Sequence, residues 1–255
     1  MKHKFSFIKS VSEISKNNCH NPVYFMHGFG GCVLLNPKRK HYKMESRKFN
    51  KPVFQHPFTC ICSGPTSSGK TTWVSKLLQN IHTLVSPSIH EVLYCYTEWQ
   101  PEYSNIQRNN YVKFNHGLPE IDNLVPGKRR LVILDDLMSQ IGTDIETVFT
   151  RKSHHRDISI LILVQNTFPK SFRTISLNAH YIVVFKQPRD MSQIMYLARQ
   201  FSPKNVKYVT DSFYKATQEP YGYLVFDFRQ ETPDVLRLRT KIFPGENLIV
   251  YVPKQ

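Results

Sequence analysis

Gly64, Gly69, Lys70 and Thr71 lie in the run SGPTSSGKTT (63–72) at a spacing, Gly-x-x-x-x-Gly-Lys-Thr, suited to gripping a chain of phosphates. Glycines let successive backbone N–H groups turn toward one anion. A lysine ammonium then meets the outer phosphates and a threonine hydroxyl is a ligand for Mg2+. The candidate nucleotide-binding set is Gly64, Pro65, Thr66, Ser67, Ser68, Gly69, Lys70, Thr71 and Thr72. Further along, RRLVILDDLM (129–138) carries Asp135 and Asp136 at the end of an apolar run. A carboxylate ending a buried strand beside such a loop can hold the magnesium, mostly through water, and its neighbour can orient or deprotonate an attacking water. Asp135 takes the first role, sharing the metal with Thr71, and Asp136 the second. Gln165 and Asn166 close another apolar run, ISILILVQN (158–166). Amides at the end of a buried strand need partners, and those on offer are the γ-phosphate and the catalytic water, or else the backbone of the next loop. The shared chemistry is cleavage or transfer of the terminal phosphate of Mg·ATP.

Those side chains need elements to hold them. PFTCICSG (57–64) reads as a short buried strand, and Trp73, Val74, Leu77, Leu78 and Ile81 recur at helical spacing after it. The glycine loop therefore joins a strand to a helix, whose N-terminus adds its own unpaired N–H groups to the anion site. Further strands are expected in SIHEVLYCYT (88–97), RRLVILDDLM, the run ending in Gln165 and Asn166, and HYIVVFKQPRD (180–190). Helices are expected over 144–153, 191–201 and 205–217. YLVFDFR (223–229) and DVLRLRTKIF (234–243) read as an antiparallel hairpin at one edge, with Arg237, Arg239 and Lys241 on a solvated face. The architecture expected is α/β in three layers, with a mostly parallel sheet and this hairpin added.

Bulk properties narrow the class. The 255 residues suffice for one large domain and contain no Pro/Gly/Ser-rich divider or internal repeat. Apolar runs stop well short of about 18 residues, so no membrane span is expected. Five cysteines, an odd count without a C-x-x-C pair, suit a reducing compartment, and the expectation is an intracellular protein. Lys and Arg number 34 against 19 Asp and Glu, for a net charge of +15. Residues 1–56 hold eleven basic and two acidic side chains and form a basic segment ahead of the nucleotide domain at 57–255. Such a segment beside an NTPase is suited to lying along nucleic-acid phosphates, a contact weakened by salt; surface solubility is the plainer reading.

Taken with GPTSSGKTT and LVILDDLM, the blocks SHHRDIS…LVQN, FKQPRD, LARQ, PYGYLVFDF and LRLRTKIF resemble the DNA-packaging ATPases of the FtsK/HerA superfamily. The likeness is greatest to those of Polinton/Maverick elements, adintovirus-like viruses and nucleocytoplasmic large DNA viruses, and spans about 60–243. The resemblance implies a P-loop NTPase of the ASCE type, with the Gln165–Asn166 strand between the loop strand and the Asp135 strand. It implies a hexameric or pentameric ring that drives double-stranded DNA into a preformed capsid at its vertex, at sites of virion assembly in the host nucleus or cytoplasm. By it, ATP and Mg2+ are the cofactors, Asp136 stands at the catalytic carboxylate, and Gln165 or Asn166 senses the γ-phosphate. Many relatives have Asp-Glu where this chain has Asp135-Asp136, and the shorter side chain bears on turnover rate. A ring motor also needs a cation reaching a neighbour's γ-phosphate, with Arg156, then Arg151, then Arg189 as candidates. The alternatives are a nucleoside or nucleotide kinase and a DNA-binding structural protein with a vestigial site. The kinase leaves the basic segment unexplained, and intact Lys70, Thr71, Asp135 and Asp136 argue against the structural protein.

Overall fold

The computed structural model of the chain describes residues 24–26, 32–33, 53–120, 124, 127–137, 140, 149, 157–166 and 172–253. Its first strands, β1 (Tyr24–Met26), β2 (Cys32–Val33) and β3 (Phe54–Gln55), precede the loop strand β4 (Thr59–Ser63). Helix α1 (Lys70–Gln79) starts on the loop, followed by α2 (Ile81–Leu84), β5 (Val85–Ser86), β6 (Glu91–Tyr96), α3 (Tyr103–Gln107) and β7 (Val112–His116). Strands β8 (Arg130–Asp135) and β9 (Ile158–Val164) carry the two later candidate groups at their ends. Helix α4 (Arg173–Leu177), β10 (Tyr181–Phe185), α5 (Ser192–Phe201) and α6 (Val206–Ala216) come next. β11 (Tyr223–Asp227), β12 (Leu238–Thr240) and β13 (Ile249–Tyr251) complete the order.

Among the described residues one sheet runs β2-β1-β13-β12-β11-β10-β4-β9-β8-β6-β7, and β3 pairs with β5 separately. The block from β10 to β7 is parallel throughout, and everything from β11 outward is antiparallel. Strand β9 lies between β4 and β8, as the resemblance implied. Every residue of β4, β8, β9 and β10 is buried, which suits parallel strands covered on both faces.

Alternation along the strands sorts the side chains into two cores. Cys60, Cys62, Leu131, Ile133, Leu161, Leu163 and Val183 meet Trp73, Val74, Leu77 and Leu78 of α1. Ile61, Val132, Leu134, Ile160, Ile162 and Val184 meet Ile175, Ile194, Leu197, Val209 and Phe213 of α4, α5 and α6 on the other face. Each such aliphatic contributes about 1.5–3 kcal/mol on burial, so the two cores hold the three layers together. Cys60, Cys62 and Cys95 are free and buried, and burial raises their thiol pKa values, that of Cys95 to about 12. They are apolar filling and not reactive thiolates.

The two C-terminal runs do pair antiparallel, Val225 opposite Arg239. The sheet continues past them through β13 to the strands at 24–26 and 32–33. This corrects one expectation: Arg239 is not on a solvated face. It is 7% exposed and donates from Nη2 to Asp227 Oδ2 at 2.5 Å. The helix expected over 144–153 lies outside the described residues, apart from buried Phe149.

Candidate nucleotide site

The glycine loop is shaped by positions that tolerate no side chain. A Cβ on Gly64 would stand 2.6 Å from Ser68 Oγ and 2.8 Å from Phe185 Cβ, so the backbone closes tightly around its own hydroxyl. Gly69 has φ +99°, a left-handed conformation open to glycine, and it turns the chain into α1. The Gly64 N–H donates to Val164 O at 3.1 Å, tying the start of the loop to the end of β9. Ser68 N–H donates to Pro65 O at 3.2 Å and closes the inner turn. Thr66, Ser67 and Thr72 are exposed, while Pro65, Ser68, Lys70 and Thr71 are half-buried.

Lys70 bridges the loop from inside. Its ammonium donates to Gly64 O at 2.7 Å and Pro65 O at 3.0 Å. An ammonium carries three N–H bonds, so one donor remains beyond the two that brace the loop. Burial lowers the Lys70 pKa, opposed by the nearby Cys62, Asp135 and Asp136. That electrostatic coupling expresses the convergence of the two motifs: the loop and the aspartate doublet share one end of the sheet.

Asp135 ends β8, level with Tyr96 of β6 and Leu163 of β9, on the face that carries α1. It is 5% exposed, and its Oδ2 accepts from Tyr94 Oη at 2.7 Å and Tyr103 Oη at 2.8 Å. Burial raises its pKa, against the two tyrosine hydrogen bonds and Lys70, which lower it. Burial also raises both tyrosines, so the hydroxyls stay protonated and act as donors. Asp136 is exposed with φ 56°, a left-handed turn that carries its carboxylate away from its neighbour's burial.

Gln165 and Asn166 follow β9 directly and are exposed at the same end of the sheet. Neighbouring strands are spaced about 4.8 Å apart, so β8 arrives roughly 10 Å to the side of β4, with the β9 end between them. Arg189 is exposed in the segment after β10, and Arg151 and Arg156 lie outside the described residues.

Sequence reasoning missed Tyr94 and Tyr103 as supports of Asp135, and missed Gln187. Gln187 is 5% exposed and donates from Nε2 to Ser63 Oγ at 3.3 Å, linking the end of β10 to the last residue of β4. A signal for Tyr94 was present in VLYCY, since a phenol hydroxyl on a buried strand must find a partner; Tyr103, on α3, carried no such local signal.

The residues present fit a magnesium nucleotide. The Gly64 cradle excludes any Cβ, the Ser68 hydroxyl is buried with no hydrogen-bond partner among the described residues, and the Lys70 ammonium has a third N–H beyond the two that bind Gly64 O and Pro65 O. Among the described residues no group of three or more His, Cys, Asp or Glu side chains could hold a metal ion.

No protein-family model and no curated protein sequence matches the chain. Solved structures do. The DNA-packaging ATPase B204 of Sulfolobus turreted icosahedral virus matches at 12% identity and TM-score 0.48, over 78% of this chain and 99% of that one. The genome packaging NTPase B204 of Sulfolobus turreted icosahedral virus 2, in complex with ATP-gammaS, matches at 11% identity and TM-score 0.46, over 78% and 98%. The cytoplasmic domain of the Thermomonospora curvata type VII secretion ATPase EccC matches at 13% identity and TM-score 0.46, over 76% of this chain and 25% of that one. These are likenesses of fold.

Proposed function

We propose that the chain is an ATP hydrolase that moves double-stranded DNA, packaging the genome of a virus or virus-like element as a homo-oligomeric ring. The observation that carries the nucleotide reading is that Lys70, at the start of α1 after β4, and Asp135, at the end of β8, stand at one end of the sheet close enough to shift each other's pKa, with β9 between β4 and β8. The DNA reading rests on the sequence blocks shared with packaging ATPases and on the excess of basic residues, densest in 1–56.

In this reading the loop N–H groups and Lys70 bind the phosphates, and Thr71 and Asp135 hold the magnesium. Bound there, the ion would supply charge neutralisation to the phosphates. Tyr94 and Tyr103 keep the Asp135 carboxylate aimed. Asp136, turned outward, takes a proton from the water or orients it, and Gln165 or Asn166 orients the same water from the neighbouring strand end. An arginine from the next subunit, Arg156, Arg151 or Arg189, would complete compensation of the transferring phosphoryl group; such fingers are worth about 10³–10⁵ in rate. Among the described residues no helix is long and apolar enough to cross a membrane.

The test is ATP hydrolysis with and without duplex DNA. Stimulation by DNA, weakening as salt rises, is expected. Lys70→Ala should abolish turnover and leave DNA binding intact. Phosphorylation of an added nucleoside in place of hydrolysis would make the chain a kinase. Salt-sensitive DNA binding without hydrolysis would make it a structural protein.

A further inference from the structure

Tyr221 is the most exposed large hydrophobic side chain among the described residues, at 69%. Its ring lies against the loop: a Cβ on Gly69 would meet Tyr221 Cδ1 at 3.1 Å and Cβ at 3.4 Å. The tyrosine sits at φ 61°, a backbone conformation that L-residues with bulky side chains avoid. The turn that imposes it is closed on both sides. Gly222 N–H donates to Glu219 O at 3.2 Å, and a Cβ on Gly222 would lie 2.5 Å from Ala216 O and 2.8 Å from Thr217 Cα. On one flank Thr217 N–H and Oγ1 donate to Phe213 O at 3.0 and 2.8 Å, ending α6. On the other, buried Tyr223 begins β11 and its hydroxyl accepts from Ile242 N–H at 3.0 Å. An aromatic ring is thus held open to solvent by a rigid, strained turn beside the phosphate loop.

Sheet order says which part of a nucleotide reaches it. Asp135 lies two strands from β4 on the β9–β8 side, so the magnesium-bearing, terminal-phosphate end points that way. The nucleoside end must leave the loop on the opposite flank, where β10 and then β11 follow. Tyr221 immediately precedes Gly222 and β11 on that flank.

We propose that Tyr221 is the platform on which the base of the bound nucleoside triphosphate stacks, an inference that rests on the nucleotide reading above. A ring reads the π-face and not the hydrogen-bonding edge, and base–aromatic stacking of this kind tolerates any base. Strain at Tyr221 is then the cost of presenting the ring face to the ligand and not to the core.

The experiment measures binding of ATP and of inorganic tripolyphosphate, each with Mg2+, by calorimetry on the full chain. Tyr221→Ala and Tyr221→Asn should weaken ATP about tenfold and leave tripolyphosphate unchanged. Asparagine tolerates the left-handed backbone, so it removes the ring while sparing the turn. Tyr221→Phe and Tyr221→Trp should bind ATP within about twofold of the parent. ATP affinity unaltered in the Ala and Asn variants, or both ligands weakened alike, would overturn the platform. A parent chain that binds neither ligand would instead overturn the nucleotide reading itself.

Discussion

Asp135 and Asp227 are both buried carboxylates that end strands of one sheet, and they stand at its opposite ends. Asp135 is level with Leu163 near the carboxyl end of β9, whereas Asp227 is opposite Tyr181, the first residue of β10. Burial raises the pKa of each. Their compensation differs. Asp227 faces the Arg239 guanidinium at 2.5 Å and takes a backbone N–H from Arg229 at 3.1 Å. Asp135 is held by two neutral hydroxyls, both on Oδ2, and Lys70 spends two donors on its own loop. A buried charge matched by a countercharge is finished architecture. Asp135 is hydrogen-bonded by neutral donors, and the Lys70 charge acts on it without a salt bridge among the described residues, the arrangement the proposed metal site calls for.

The contrast extends to the neighbouring groups. At the amino end of the parallel strands polar side chains close on each other: Thr59 Oγ1 donates to Asn178 O at 2.9 Å, His56 Nδ1 lies 2.6 Å from Ser159 Oγ, and Glu91 binds both Arg130 and Lys113. At the carboxyl end lie exposed Thr66, Ser67, Asp136, Gln165 and Asn166.

The largest effects should therefore separate by end. Arg239→Met leaves the Asp227 carboxylate buried without its countercharge, and should cost about 3–5 kcal/mol of stability in urea unfolding while the folded fraction hydrolyses ATP normally. Replacing both partners, Asp227→Leu with Arg239→Met, should restore the parent's stability or exceed it. Asp135→Asn should behave in the opposite way. It keeps the volume and an acceptor for a tyrosine, so the unfolding midpoint should hold or rise, while hydrolysis should fall about 10²–10³-fold with the carboxylate proposed to hold the metal gone. If Asp135→Asn lost stability as Arg239→Met does, the distinction between the two carboxylates would collapse.

A somewhat smaller effect belongs to the amino end alone. His56 is 7% exposed, and burial lowers its imidazole pKa from 6.5 to about 4. The folded state thus prefers the neutral ring. Its contribution is complete above the unfolded pKa of 6.5 and is lost as pH falls through 4, because the unfolded chain takes up the proton first. The loss should be about 2–3 kcal/mol across that window. Urea midpoints measured from pH 7 to pH 4 should fall, and His56→Gln should flatten this part of the profile. Equal slopes in the two proteins would mean that the ring titrates normally.

Local patterns were legible in the sequence and lateral ones were not. SGPTSSGKTT and LVILDDLM carry their chemistry within ten residues each, and the apolar runs marked β4, β8, β9 and β10 because strands covered on both faces read as continuous hydrophobics. Tyr94 and Tyr103 meet Asp135 across 41 and 32 residues, a meeting set by how β6 registers against β8 and by where α3 folds back. Arg239 was misread because alternation along LRLRT looks the same whether the charged face meets water or a buried partner. What decides is Asp227 on the neighbouring strand β11, which meets the Arg239 guanidinium inside the fold. Tyr221 belongs to the same class, since PYGY marks a turn but not what the turn leans on.

The smallest expected effect tests the finest part of the comparison, the claim that neutral hydroxyls aim Asp135. Tyr103 begins α3, and its ring lies among Tyr94, Tyr96, Trp99 and Phe114 at centroid distances of 5.0 to 5.8 Å. Tyr103→Phe keeps that packing and removes one of the two donors to Oδ2. Stability should change by no more than about 1 kcal/mol, the net worth of one such hydrogen bond. Metal binding is more sensitive, because groups that orient a ligand carry about 10–100-fold in metal affinity. The Mg2+ concentration for half-maximal hydrolysis should rise about tenfold, with kcat at saturating Mg2+ little altered. Tyr94→Phe should act alike, and the double variant should cost more than the product of the two, since each hydroxyl alone still restrains the carboxylate. Magnesium-dependent nucleotide binding by calorimetry gives the same comparison without turnover. An unchanged Mg2+ midpoint in the double variant would assign the tyrosines to packing and leave Asp135 oriented by its strand alone.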